Sequence, residues 1–350
     1  MSLKARLAAE IAAHGPIGVA EFMTRCLFDP QDGYYATRPA IGAQGDFVTA
    51  PTVSQMFGEL IGAWLVETWR GLGSPARVAL VEAGPGDATL MSDILRVARL
   101  APGFLAAAEV WLIEASAPLK ALQAERLAAA TPRWASSIDE TPADVPLLLV
   151  ANEFLDCLPV RQFERRAGGW AERTIGLDGA DALAFGLRPA AFDGPRAPTG
   201  AVIERSPAQT AFAEALAARI VSQGGAALIV DYGAAEPGCG DTLQAVSGGR
   251  KVGPLEAPGE ADLTAHVDFP GVLEAARAAG AEVALLSQGE FLSRLGLADR
   301  AAALGRARPD QAAMVARQAQ RLAGDDQMGA LFKAAAIWSG SAPPAFEAVR

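Results

Sequence analysis

The pattern of hydrophobic and polar positions changes near residue 76. Before it, apolar residues recur at helical spacing over residues 1–15, 19–30 and 53–73, with the second segment stopping before Pro30, and a stretch rich in Gly and Pro separates the last two segments. After it, short continuous apolar runs alternate with helical segments. The pattern therefore predicts a helical extension over residues 1–75 and an α/β domain over residues 76–340.

Continuous apolar runs between helices are typical of a mostly parallel sheet that is covered on both faces. Two stretches interrupt the alternation: a predicted hairpin followed by an Ala- and Pro-rich loop, and a long Gly-rich segment that predicts a loop. Together with a third region before the last strand, they predict insertions at about 160–200, 233–266 and 288–329. The predicted strands are 76–84, 109–116, 145–153, 226–233, 281–288 and 331–340.

Composition and charge exclude several classes of protein. The 350 residues carry a net charge of −10, which argues against a nucleic-acid partner, because phosphate binding needs a basic face. Cys26, Cys157 and Cys239 are far apart, and with two histidines they predict no metal site and a reducing compartment. No apolar run approaches the roughly 20 residues of a membrane span, and the start lacks a signal core. We therefore expect a cytoplasmic protein without an integral membrane segment; its oligomeric state is left open.

A glycine turn follows the first strand of the predicted domain. Gly84 and Gly86 let the backbone turn sharply and approach a ligand, although a purely structural turn would also explain them. Thr89 stands where the dinucleotide fingerprint needs a third Gly, and Asp87 is unsuited to a pyrophosphate. Glu82 precedes the turn, and the spacing resembles the first motif of S-adenosylmethionine-dependent methyltransferases.

A second carboxylate ends the next strand. Glu114 could accept hydrogen bonds from both ribose hydroxyls of a nucleoside cofactor, or it could serve the start of the following helix. With Glu82, Gly84 and Gly86 it predicts a nucleoside cofactor. S-adenosylmethionine is favoured over NAD because a sulfonium tolerates nearby carboxylates and phosphates do not.

A series of motifs occurs in order along the chain: DGYY (32–35), GDFVTAPTVSQMFGELIG (45–62), EAGPGDATLMSDIL (82–95), EAS (114–116), ANEFLDCLPV (151–160), DYG (231–233), GDTLQA (240–245), DLTAHVDF (262–269) and FK (332–333). With these motifs the chain resembles the MidA-like family, which includes the mitochondrial respiratory complex I assembly factor that acts as a protein arginine methyltransferase. It departs from that family's pattern at Ala88, where Gly is usual, and at Gln244, where Arg is common.

The resemblance implies a Rossmann-like class I methyltransferase sheet, mostly parallel with an antiparallel last strand, plus an N-terminal helical extension and inserted substrate elements. Its cofactor would be S-adenosylmethionine, and its partner a protein substrate, an arginine on a complex I subunit. The loop within residues 1–75 would cover the cofactor, with Asp46 reaching over it and Thr49 supporting the loop.

Polar residues at the other strand ends supply the candidate chemistry. Glu153 could grip the planar guanidinium of an arginine, and Asp156 could act as a second clamp or as a base. Asn152 would hold the cofactor or the backbone, and Asp231, at the end of the next strand, could join the site. Asp156 could instead be an ordinary turn residue, and Glu153 a solvated loop acid.

Two other functions remain open from the sequence. The departures at Ala88 and Gln244 are compatible with an S-adenosylmethionine-binding assembly chaperone that has no transferase activity. An NAD-dependent dehydrogenase is disfavoured by Asp87 and Thr89.

Overall fold

The computed structural model of the chain describes residues 1–37 and 49–347. Short 3₁₀ turns occur at residues 128–130, 138–140 and 309–311. The helices are α1 (Leu3–His14), α2 (Val19–Phe28), α3 (Tyr34–Thr37), α4 (Ala50–Val53), α5 (Gln55–Gly71), α6 (Thr89–Ala98), α7 (Pro102–Ala107), α8 (Ala117–Arg126), α9 (Pro207–Gln223), α10 (Phe269–Ala278), α11 (Gln288–Arg294), α12 (Leu297–Ala307), α13 (Ala312–Ala323) and α14 (Met328–Leu331).

Within the described residues, the strands form three sheets of eight, five and three strands. They are β1 (Ile17–Gly18), β2 (Val78–Ala83), β3 (Ala108–Ile113), β4 (Arg133–Ala135), β5 (Leu147–Asn152), β6 (Arg161–Arg166), β7 (Gly169–Leu177), β8 (Leu183–Pro189), β9 (Val202–Arg205), β10 (Gly225–Ala234), β11 (Gln244–Ser247), β12 (Arg250–Val252), β13 (Asp262–Thr264), β14 (Val267–Asp268), β15 (Glu282–Ser287) and β16 (Phe332–Ser339).

The eight-stranded sheet is the centre of the fold. Its strand order is β15-β16-β10-β5-β2-β3-β4, with β14 paired to the end of β10. The pairs from β4 to β10 are parallel, whereas β16 runs antiparallel to both β10 and β15. The prediction of a mostly parallel sheet with an antiparallel last strand is confirmed.

Helices cover both faces of this central sheet. Leu80 and Val81 of β2 point to opposite faces because side chains alternate along a strand. Leu80 packs in one core with Trp64 of α5, and Val81 packs in another with Leu216 of α9. Every residue of β2 and β5 is buried, which explains their apolar runs; the exceptions, Glu82 and Asn152, lie near the carboxyl ends of these strands. No helix in the described part of the chain is long and apolar enough to cross a membrane.

The five-stranded sheet contains the predicted hairpin. β6 and β7 pair antiparallel, with Phe163 opposite Glu172, and β1 from the N-terminal region pairs with β7. The prediction of a loop over 233–262 is wrong, because β11, β12 and β13 form the three-stranded sheet there. The Gly-rich composition hides these strands, since the pairing of β11 with β13 joins residues 16 to 20 positions apart.

Helices α1 to α3 and the three-stranded sheet β11–β13 pack together, and we call this unit the cover. Leu7, Phe22 and Tyr34 share one apolar cluster with Ala245 and Leu263. Arg6 also links the turn after α2 to α1 through ion pairs of 2.7 Å and 2.8 Å with two aspartates of that turn. The division of the chain at residue 75 stays a prediction, as do the insertion boundaries.

Candidate active site

Two cavities lie at the carboxyl ends of β2, β3 and β5. The larger has a volume of about 460 Å³ and the smaller about 50 Å³. Gly84, Gly86 and Glu153 line both of them. Parallel sheets bind ligands outside the carboxyl ends of their strands, which makes the paired cavities the candidate active site.

The glycine turn forms the floor that the two cavities share. Gly84 and Gly86 have φ values of +64° and +53°, in the left-handed region that favours glycine. A Cβ at Gly84 would lie 2.7 Å from Cδ2 of Phe154, so no larger residue fits there without movement. Ala88, where the family usually has Gly, also has a left-handed φ of +62° and precedes α6. The departure therefore keeps the conformation and adds modest strain.

Glu114 is buried on the wall of the larger cavity. Its Oε1 accepts a hydrogen bond of 2.7 Å from the amide of Ser116, and its Oε2 one of 3.1 Å from Gln123. Burial raises the pKa of Glu114. The cap of α8 is Ser116 itself, whose hydroxyl accepts from Leu119. Glu114 thus supports the start of this helix without capping it.

Gln123 is a site residue that the sequence analysis missed. Its Nε2 donates to the carbonyl oxygen of Gly86 at 2.8 Å as well as to Glu114, and its Oε1 accepts from Nε1 of Trp134 at 2.8 Å. It therefore ties the glycine turn to the end of β3. The signal available in the sequence was a polar residue four positions after Leu119, on the buried face of α8.

The smaller cavity is lined by Glu82, Asn152 and Thr49. Oε2 of Glu82 and Oδ1 of Asn152 are buried and accept no hydrogen bond from the described residues. Burial, reinforced by the nearby Asp87 carboxylate, raises the pKa of Glu82 well above its usual value. Thr49 precedes α4 and lines this cavity, whereas Asp46 lies outside the described residues.

Glu153 occupies the boundary between the cavities and adopts a strained backbone conformation. Its φ is +51°, which is unusual for a residue with a side chain and typical of functional positions. Oε1 accepts bonds of 3.1 Å from the amide of Ala50 and from Nδ2 of Asn152. Burial, followed by the charge of Asp156, raises the pKa of Glu153 to about 7.

Asp156 and Asp231 lie behind the cavity walls, which corrects the predicted direct roles of both. Oδ2 of Asp156 accepts a 2.6 Å bond from the hydroxyl of Tyr232, and burial raises the pKa of Asp156 to about 6. Asp231 is fully buried and accepts from four backbone amides, those of Tyr232 and residues 154–156. Such a saturated carboxylate positions the turn that carries Glu153, so Asp231 is a positioning residue and not a catalytic one.

The cover supplies another part of the larger cavity's wall, through Phe28 and Tyr35. Cys157 also lines this cavity, and burial raises the pKa of its thiol well above the usual value, which disfavours a reactive thiolate. In residues 1–37 and 49–347, no group of three His, Cys, Asp or Glu side chains could hold a metal ion.

The hydrogen-bond acceptors of the site match the donor groups of S-adenosylmethionine. Glu114 in the larger cavity would accept bonds from ribose hydroxyls. The unpartnered oxygens of Glu82 and Asn152 in the smaller cavity suit an ammonium group, because buried acceptors otherwise pay the full cost of desolvation. A ligand that joins a nucleoside to a cationic amino-acid end matches both halves.

Comparisons with known proteins agree with this site. Residues 60–287 match a family model described as "Putative S-adenosyl-L-methionine-dependent methyltransferase". The chain is 35% identical to a protein from Danio rerio named protein arginine methyltransferase NDUFAF7, mitochondrial, over 85% of this chain and 78% of that one. The Homo sapiens protein of the same name is 35% identical over 82% and 72%, respectively.

A solved structure is similar over nearly the whole chain. A Burkholderia thailandensis protein crystallised with S-adenosylhomocysteine is 30% identical, with a TM-score of 0.86, over 99% of this chain and 94% of that one. The expectation of a cytoplasmic location is contradicted, because the curated relatives are mitochondrial proteins by name. The matched model, the identity to the NDUFAF7 proteins and the similarity of the whole fold show that this chain belongs to their family of S-adenosylmethionine-dependent methyltransferases.

Proposed function

We propose that the chain methylates an arginine side chain of a protein, with Glu153 holding the acceptor guanidinium. The observation that carries this proposal is the position of Glu153 on the wall that both cavities share. Its Oε1 is held by two donors, while no described residue donates to its Oε2. Oε2 can therefore accept a hydrogen bond from the guanidinium that receives the methyl group.

The charge around Glu153 supports a cationic acceptor. Asp156 and Asp231 lie behind it, and none of these three carboxylates forms an ion pair with a Lys or Arg of residues 1–37 and 49–347. Buried acids without a basic partner raise one another's pKa and favour the entry of a cation. The relatives named protein arginine methyltransferase support a guanidinium as that cation.

The bound cofactor would supply a methyl group activated by its sulfonium. The protein's own task is then to orient the acceptor and to accept one proton, because a guanidinium that gains a methyl group must lose a proton to stay singly charged. Oε2 of Glu153 would accept a hydrogen bond from an N–H group of the guanidinium and then take this proton. A carboxylate with a pKa of about 7 is suited to that step near neutral pH.

The remaining residues would hold Glu153 in place. Asn152 and the amide of Ala50 fix its carboxylate, and Asp231 fixes the turn that carries it. From the resemblance to the MidA-like family, the proposal includes a subunit of respiratory complex I as the protein that carries the arginine.

The Glu153→Gln substitution tests the proposal, because the amide keeps the shape and the acceptor oxygen but has no charge. We expect transfer of a labelled methyl group to the candidate subunit to fall by about 100-fold or more. Binding of S-adenosylhomocysteine, followed by calorimetry, should change by less than about threefold. Replacement of the acceptor arginine by lysine should abolish labelling by the wild-type enzyme.

Glu236→Gln is the matched control, because Glu236 is exposed in the loop after β10 and lines neither cavity. It should transfer methyl groups at the wild-type rate. If Glu153→Gln retains wild-type transfer, Glu153 does not hold the acceptor.

A further inference from the structure

The cover closes part of the larger cavity with aromatic side chains. Phe28 ends α2 and Tyr35 lies in α3, and both line the cavity together with Glu114 and Gly86. Their rings stack with centroids 5.9 Å apart and an interplanar angle of 27°. A ligand seated against Glu114 therefore shares its cavity with this aromatic pair.

A polar contact between Tyr35 and Asp262 joins this aromatic wall to β13 of the cover. The hydroxyl of Tyr35 donates to both carboxylate oxygens of Asp262, at 2.8 Å and 2.9 Å, across 227 positions of sequence. Asp262 begins β13 and is only 5% exposed. A hydroxyl that donates to a buried carboxylate makes a charge-assisted bond, which is stronger than a bond between neutral groups.

The backbone around this pair is fitted closely. Gly259, three residues before Asp262, has a φ of +79°, and a Cβ there would lie 2.3 Å from the carbonyl oxygen of Asp32. β13 in turn connects to the turn that carries Glu153, because the amide of Ala265 donates to the carbonyl oxygen of Asp156 at 3.0 Å. The Tyr35–Asp262 contact thus links the aromatic wall to the elements behind the site.

We propose that Tyr35 and Asp262 form a latch that fixes the aromatic wall of the larger cavity and thereby sets how long the cofactor stays bound. A ligand in this cavity loses contacts when Phe28 and Tyr35 move away, and the hydrogen bond to Asp262 opposes that movement. The inference rests on the cofactor of the family and not on arginine as the acceptor. Tyr35 is a binding residue, and Asp262 is a positioning residue that acts through it.

The Tyr35→Phe substitution tests the latch, because it removes only the hydroxyl and keeps the ring that stacks on Phe28. S-adenosylhomocysteine is the probe, and its dissociation rate is measured by stopped-flow displacement without any protein acceptor. We expect dissociation to be faster by roughly 10-fold or more, as for the loss of a hydrogen bond to a charged group. The association rate constant should change less, because the loss of the hydroxyl does not hinder entry of the ligand into the cavity.

Tyr232→Phe is the matched control. It removes the same atom from the second tyrosine–aspartate pair, in which Tyr232 donates to Asp156 and lines neither cavity. Dissociation of S-adenosylhomocysteine from this variant should stay within about twofold of the wild-type rate. Asp262→Asn keeps an acceptor oxygen for the phenol, so its effect should lie between those of Tyr35→Phe and the wild type.

Hydrogen exchange gives a second readout that is independent of catalysis. The amides of Ala36 and Thr37 donate to the carbonyl oxygen of Gly33, and they should exchange faster in Tyr35→Phe than in Tyr232→Phe. Equal dissociation rates for Tyr35→Phe and the wild type would overturn the latch, as would equal acceleration by both phenylalanine variants. Since no acceptor is present, failure of the arginine proposal would leave these results unchanged.

Discussion

The central sheet and the cover are both built on apolar cores, but they differ in what joins their parts. In the sheet, β2 and β5 are buried on both faces, and neighbouring strands are joined by regular backbone ladders. In the cover, segments far apart in sequence are joined by a smaller apolar cluster and by single polar contacts, such as Tyr35 with Asp262.

This difference separates two tasks at the cavity. The ends of the sheet strands carry Glu82, Glu114 and Glu153, whose positions are fixed by the core beneath them. The cover carries Phe28 and Tyr35, whose positions depend on a few contacts of long sequence separation. A rigid floor and a wall that can loosen are what an enzyme needs when it must both orient a cofactor and release its product.

Two glycines test this comparison most strongly. A Cβ at Gly225, at the start of β10, would lie 2.0 Å from the carbonyl oxygen of Leu147, and the φ there is +130°. We expect Gly225→Ala to lower the free energy of unfolding by about 4 kcal/mol or more, because two central strands must separate. Gly259→Ala in the cover should cost less, about 1–3 kcal/mol, but should weaken binding of S-adenosylhomocysteine.

Urea unfolding and calorimetry measure the two effects. Gly224→Ala is the control, because its φ of +78° is equally left-handed but no atom lies within 4 Å of the added Cβ. It should cost only about 1 kcal/mol. If Gly259→Ala is as destabilising as Gly225→Ala, the cover is not the weaker unit.

A substitution of Gln123 tests whether the glycine turn on the cavity floor depends on the hydrogen bonds of that side chain. Gln123→Ala leaves the carbonyl oxygen of Gly86 and the indole N–H of Trp134 without their partner. We expect the affinity for S-adenosylhomocysteine to fall by roughly 10- to 100-fold, since each unpaired buried group costs about 1–3 kcal/mol. Gln320→Ala, on the exposed face of α13, should bind as tightly as the wild type in the same calorimetric titration.

The pH dependence of methyl transfer tests Glu153, where the central sheet meets the N-terminal region through the hydrogen bond from Ala50. Its raised pKa of about 7 means that the carboxylate form, which the proposed mechanism needs, is lost as pH falls below that value. The rate at low substrate concentration should therefore fall by about tenfold per pH unit below about 7. Glu153→Gln should show no such slope in residual activity; the same slope in both proteins would assign the titration to another group.

Six strands of the central sheet (β2, β3, β5, β10, β15 and β16) could be predicted because their signal is local, whereas the short strands β4 and β14 were not predicted. Each apolar run is continuous, and the residues that follow it, such as Glu114 after β3 and Glu153 after β5, lie at the carboxyl ends of the parallel strands. The glycine turn was predictable for the same reason. Among the residues that line the larger cavity, these features predicted Gly84, Gly86, Glu114 and Glu153.

The parts that escaped prediction depend on partners distant in sequence. The contact of Tyr35 with Asp262 and the pairing of β11 with β13 leave no periodic pattern. Asp231 follows an apolar run as Glu114 does, but its four backbone donors turn it away from the cavity, and only the folded turn reveals them. A strand end thus predicts location, and the neighbouring backbone decides which carboxylates reach the ligand.

Glu153 combines a left-handed backbone conformation that lowers stability with a side chain that the proposed reaction needs. This left-handed conformation is less favourable for a residue with a side chain than for glycine, by on the order of 1 kcal/mol. Selection for a higher melting temperature alone would therefore favour Glu153→Gly, at the expense of the carboxylate that the proposed reaction needs. A variant stabilised in this way would be more resistant to unfolding but would no longer transfer methyl groups.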